Sequence, residues 1–125
     1  MSAVLLLAVS LAGGIGAALR LTLDGLIRGR FTSTLPIGTL TINITGSLIL
    51  GLVTGLAIAH HLAAPVESVT GTGLMGGYTT FSTASFETVR LIQNRRYVIA
   101  VANGLGMLIV SIAAAGLGLW AGSHT

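Results

Sequence analysis

The sequence predicts an all-α membrane protein of four transmembrane helices, the third of them broken. Three observations carry that expectation. Of 125 residues, 53% are hydrophobic and 7% charged, with a mean hydropathy of +0.94, whereas a soluble domain carries roughly a quarter charged residues. Four apolar segments each approach the roughly 20 residues a helix needs to cross a bilayer. The third contains Gly76-Gly77-Tyr78-Thr79-Thr80-Phe81-Ser82-Thr83, a run that resists helix formation. The length accommodates a single domain, 1–125.

The first span is expected over 3–19, ending at Arg20. Met1 and Ser2 lead straight into apolar sequence without the positive charge of a secretory leader, so this segment is read as a retained helix. The second span is expected over 35–59, with Pro36 at its start and His60 and His61 closing it. The third is expected over 66–91 behind Pro65, since a proline's missing N–H costs little in a first helical turn. The fourth is expected over 97–121, with Tyr97 and Trp120 near its opposite ends, where amphipathic rings favour the membrane interface. Short connections make successive spans antiparallel. Ser47, Gly51 and Gly55, and again Ala114, Gly118 and Gly122, recur every four residues. Such small-residue faces let helix backbones approach closely in lipid, either within one chain or across a dimer interface.

Every basic residue is arginine. Arg20, Arg28 and Arg30 flank the first connection, and Arg90, Arg95 and Arg96 the third. In a four-span chain both connections lie on one side, and the positive-inside rule then places both termini outside. The sequence pI near 10.7 therefore speaks of topology in a lipid environment and not of a nucleic-acid partner. There is no cysteine, which removes disulfides and thiolate metal sites.

The acids are Asp24, Glu67 and Glu87. None lies mid-span, whereas a small multidrug exporter needs a membrane-embedded carboxylate in its first helix. Glu87 is expected to pair with Arg90 on the helix surface, and His60 and His61 to be solvated in a connection. No nucleophile–base pair or metal cluster appears in the spans, so an enzyme is not expected. The buried chemistry is neutral. Thr39, Asn43 and Ser47 share one face of the second span, and Asn103 and Ser111 one face of the fourth. Hydroxyls often bond back to their own helix, but an amide in hydrocarbon needs a partner or water. Rows of neutral donors suit an anion that must be gripped weakly and released.

In the third span, two adjacent glycines cost about 1 kcal/mol each relative to alanine, and the hydroxyl and β-branched residues that follow compete for backbone bonds. The expected break is either a kink in a packing helix or unwound backbone lining a cavity, the latter being tolerated at membrane depth only where protein or a cavity surrounds it.

Three stretches resemble the Fluc (CrcB) fluoride channel family: Gly13-Gly14-Ile15-Gly16-Ala17 with Arg20, Gly38-Thr39-Leu40 with Asn43 and Gly46, and Gly73 followed by the run from Gly76 to Thr83. The resemblance covers essentially the whole chain. It implies a passive fluoride export channel in the cell membrane, built as an antiparallel, dual-topology-type dimer with two pores. It further implies a structural, untransported sodium ion at the dimer centre, held by the backbone carbonyls matching Gly76 and Thr79. The implied fluoride path runs by Asn43, Thr80, Phe81, Ser82 and Thr83, with Thr39 and Ser111 as further donors. Arg20 is either a vestibule charge or a lipid-headgroup anchor. The sequence departs from the family pattern at Ala84, where a second phenylalanine is common, and Phe86 lies about 200° further round a helix. It departs again at Met107, where a hydroxyl is expected four residues before Ser111. With the one-sided arginines, these departures raise a second possibility beside a homodimer: a half-pore or non-conducting subunit paired with a reversed-orientation homologue.

Overall fold

The computed structural model describes residues 2–30, 37–79 and 82–125, and the side chains of residues 82 and 83 lie outside that description. The described residues form helices and turns without strands. Helix α1 is Ala3–Arg30, and α2 is Ile37–Ile58. Helix α3 covers 64–78, as an α-turn Ala64–Glu67, a wider π-wound stretch Ser68–Met75 and a last α-turn Gly76–Tyr78. Helix α4 is Ser82–Gln93. Helix α5 spans Tyr97–Ser123, with a π-wound stretch at Ala102–Gly106. Among the described residues, α1, α2 and α5 are long and apolar enough to cross a membrane. Large apolar side chains face outward along all three, Val4 and Val98 being 80% and 84% exposed. A surface of that kind requires lipid around it.

The first helix is longer than the expected span. The helix does not end near Arg20 but runs to Arg30. Past the apolar stretch it is held by local bonds: Thr22 Oγ1 donates to Ala18 O at 2.9 Å, and Arg28 Nε to Asp24 Oδ1 at 3.0 Å. Arg28 and Arg30 occupy the last turn, where cations complement the helix dipole. Pro65 sits in the first turn of α3 as expected, whereas Leu35 and Pro36 lie outside the described residues.

Two helix pairs run parallel. In α1 and α3, a Cβ built on Gly77 would stand 2.0 Å from Gly13 O, and one on Gly73 2.8 Å from Val9 O. In α2 and α5, a Cβ on Gly51 would stand 2.1 Å from Ala115 O, and one on Gly118 2.2 Å from Leu48 O. Only glycine permits such backbone contact, and in lipid close packing of this kind is a main source of helix association. The small-residue faces around Gly51, Gly55, Gly118 and Gly122 are thus used within the chain. Between the pairs, α3 runs antiparallel to α2: Gly46 meets Tyr78 and Thr79, while Gly71 meets Leu50 and Val53. A small core of Ile42, Met75 and Tyr78, flanked by Leu23 and Leu74, fills the junction of α1, α2 and α3.

Two turns use left-handed residues that are not glycine. His60 has φ 63° and Arg95 φ 59°. Each follows a helix whose end is closed by a six-residue bond, His61 N–H to Leu56 O and Arg96 N–H to Leu91 O, both 2.9 Å. This is the geometry in which glycine is usually found. His60 and His61 are exposed.

Candidate functional site

The site begins where α3 stops. Thr79 takes extended backbone, φ −78° and ψ 155°, and both its N–H and its Oγ1 donate to Met75 O at 2.9 Å. The last helical turn is therefore closed at Met75, and the chain leaves the helix axis at residue 79. Tyr78 fixes this point to α2: its hydroxyl lies 3.0 Å from Thr45 Oγ1. Gly46 admits the contact, since a Cβ there would fall 2.3 Å from Thr79 Cγ2. The expected break is present, and it borders a cavity.

That cavity, about 470 Å³, opens between α2, α4 and α5 beside Thr79. Asn43 and Ser47 line it from α2, Ala84, Ser85, Thr88 and Val89 from α4, and Asn103, Gly104, Met107, Leu108 and Ser111 from α5. None of these carries a charge. The π-wound stretch Ala102–Gly106 holds Asn103 and hands on to Met107. Such local widening of a helix recurs at functional sites because it shifts the residues that face inward.

The cavity's polar groups are bonded in short chains. Asn43 Nδ2 donates to Met107 Sδ at 3.1 Å. Asn103, 2% exposed, donates through Nδ2 to Thr88 Oγ1 at 2.7 Å, and Thr88 Oγ1 donates to Ala84 O at 2.9 Å. Asn103 Oδ1 and Ser111 Oγ are buried with no hydrogen-bond partner among the described residues, a costly state in low dielectric unless water or a ligand completes it.

One turn before Asn43, Thr39 is 1% exposed and donates through Oγ1 to Glu87 Oε1. Glu87 Oε2 also lies 3.7 Å from Arg28 Nη2, and Asp24 Oδ2 lies 3.0 Å from Arg28 Nε. Glu87 is therefore not the partner of Arg90. It faces inward, since residues 82 to 93 turn one face to α2 and α5, and the long first helix brings Arg28 within reach. Arg20 lies inside α1, two turns before Arg28, and its Nε is buried with no hydrogen-bond partner among the described residues.

Of the site residues expected from sequence, Asn43 and Ser111 share the cavity, with Thr79 at its edge, and Thr39 stands just beyond it against Glu87. Ser82 and Thr83 open α4, and Thr80 and Phe81 lie outside the described residues. Gly76 is exposed at the break. Sequence reasoning missed Thr88, whose link to Asn103 depends on α4 packing against the π-wound stretch, and Met107, which it treated as a lost hydroxyl.

Parallel helix pairs sealed by glycine, lipid-facing apolar surfaces and an uncharged cavity beside a broken helix define a multi-pass α-helical membrane protein. Residues 7–119 match the model of the CrcB-like protein, Camphor Resistance (CrcB) family, and the chain belongs to that family. It is 53% identical over 122 residues to Fluoride-specific ion channel FluC 1 of Leifsonia xyli subsp. xyli, covering 98% of this chain and 89% of that protein. It is 45% identical to Fluoride-specific ion channel FluC 2 of Cutibacterium acnes, over 93% of this chain and 95% of the relative. It is 42% identical to Fluoride-specific ion channel FluC of Syntrophotalea carbinolica, over 90% and 92%.

Proposed function

We propose that this protein is a subunit of a fluoride-specific channel that lets the ion leave the cytoplasm passively across the plasma membrane. The observation that carries the reading is the cavity beside the helix break, lined by Asn43, Ser47, Thr88, Asn103 and Ser111 without a charged side chain. Fluoride is small and strongly hydrated, so a selective path replaces its water with many donors, and rapid passage requires several shallow sites instead of one deep one. Neutral amides and hydroxyls meet both demands, whereas a lining arginine would hold the ion.

The proposed path runs by Asn43 and the break residues Thr80, Phe81, Ser82 and Thr83, with Thr39 and Ser111 as further donors. An aromatic edge carries partial positive charge and suits Phe81 to an anion contact. Arg20 is assigned to a vestibule, where its charge raises the local anion concentration. The single domain contributes a fourth membrane crossing through α3 and α4 together, and both termini lie outside in the orientation that the arginine placement favours, the antiparallel partner being inverted. The working unit is an antiparallel dimer. A structural sodium fits the carbonyls of Gly76 and Thr79: a hard cation takes oxygen ligands, and these lie at the C-terminal, negative end of α3. Bound there, the ion would tie two subunits together at their breaks without being transported.

Ala84 in the cavity lining favours a second reading, a half-pore subunit that pairs with a reversed-orientation homologue. A fluoride electrode distinguishes the two. Purified protein in liposomes is expected to release trapped fluoride on its own, and not chloride. Release that appears only with the co-expressed homologue selects the heterodimer, and no release in either case overturns the channel reading.

A further inference from the structure

The bond from Asn43 Nδ2 to Met107 Sδ, 3.1 Å long, joins α2 to α5 at the cavity, and both residues are buried, 8% and 5% exposed. A thioether sulfur is a weak acceptor on an unbranched, flexible side chain. An N–H resting on it retains most of its capacity to bond elsewhere. An anion offers that N–H a charge-assisted bond, roughly twice as strong as a neutral one. The sulfur therefore helps to hold the direction of this N–H in the absence of an anion and yields it when one arrives. An oxygen acceptor at this position would compete with the anion, and an aliphatic residue would leave the amide donor without this partner. One turn further along, Ser47 and Ser111 line the same cavity, and Ser111 Oγ has no hydrogen-bond partner. An ion leaving Asn43 thus meets an unengaged hydroxyl next.

We propose that Met107 is a positioning residue that parks the Asn43 donor on a weak acceptor so that fluoride can take it. The proposal rests on the fluoride reading above. It converts a residue that looked like the loss of a pore hydroxyl into a setting of donor strength.

The test uses two variants of similar volume, Met107→Leu and Met107→Gln, in the full-length protein. A space-filling role predicts that both behave alike. The proposal predicts that they split. Titrating sodium fluoride against the 15N-labelled protein should shift the Asn43 side-chain NH2 resonance, assigned by its loss in Asn43→Ser. Half-saturation should rise about fivefold or more in Met107→Gln, the size of one net hydrogen bond, and rise less in Met107→Leu, whose fluoride-free Asn43 resonance should move from its wild-type position because the sulfur is gone. Liposome fluoride efflux should fall in Met107→Gln by a similar factor. Equal titrations in the two variants, or an Asn43 resonance indifferent to fluoride, would overturn the proposal. Should wild type fail to pass fluoride while the resonance titrates and the variants split, the positioning role stands and the channel reading falls.

If the Gln variant does not fold, peroxide treatment of folded wild type supplies the same acceptor. One oxygen passes from peroxide to the Met107 sulfur, leaving water and a sulfoxide. Protein shown by mass spectrometry to carry that sulfoxide should titrate like the Gln variant. Identically treated Met107→Leu, which keeps Met1 and Met75, should be unaffected. Loss of response in both, or in neither, counts against the proposal.

Discussion

The two ends of the α2–α5 pair solve opposite problems with one register. Asn43 meets Met107, Gly51 meets Ala115, and Gly55 meets Leu119, so the helices stay parallel and in step throughout. At the Gly51 and Gly55 end the backbones touch and nothing separates them. At the Asn43 end, side chains bridge the helices and α4 stands alongside with the small residues Ala84 and Ser85, leaving about 470 Å³ of space. Stability and function thus occupy different lengths of the same interface. The sealed end anchors the register, and the open end can carry polar groups because the sealed end holds the helices together.

Breaking the sealed end has the largest expected effect. A side chain at Gly51 collides with the Ala115 backbone, which cannot retract as a flexible side chain does. Gly51→Leu should therefore cost about 3 kcal/mol or more, read as lost yield of monodisperse protein and a lower thermal midpoint. At the open end, Asn43→Asp replaces a donor with an anion and is expected to abolish fluoride efflux. Wild-type efflux in that variant would remove Asn43 from the path. Thr88→Val strips the partner from the buried Asn103 amide and should lower stability by about 1–3 kcal/mol. A smaller change would mean that cavity water already serves the amide. The smallest effect belongs outside both ends. His60→Gly relieves a left-handed residue at φ 63° and should stabilise by about 1 kcal/mol, raising the midpoint without altering efflux.

Much of this architecture is written locally. The apolar segments, the break after Gly76-Gly77 and the small-residue faces follow from hydropathy, propensity and four-residue spacing, each of which acts over one or two turns. The break fell where the glycines and hydroxyls compete with the helix, at Thr79. Asn43 and Ser111 could be picked out because an amide or hydroxyl in an apolar helix demands a reason. The first helix outruns its apolar stretch because hydropathy reports where lipid ends, not where a helix ends. Asp24 and Arg28 continue the helix in polar sequence.

Partner choice was the part that local sequence left open. The stripe of Gly51 and Gly55 is consistent with a neighbour in the same chain or in another, and packing against α5 decides it in favour of the same chain. Glu87 had Arg90 three residues away, yet it turns to Thr39 and Arg28, because which face of a short helix points inward depends on its neighbours. Met107 carried no polar signal at all. Its role appears only when a register set far along the helix pair brings its sulfur to Asn43. Which segments are helical, where the third must fail and which polar groups need partners all follow from one-dimensional properties of the chain. The identity of those partners follows from packing, because helices in lipid associate through shape, and shape is a property of two surfaces at once.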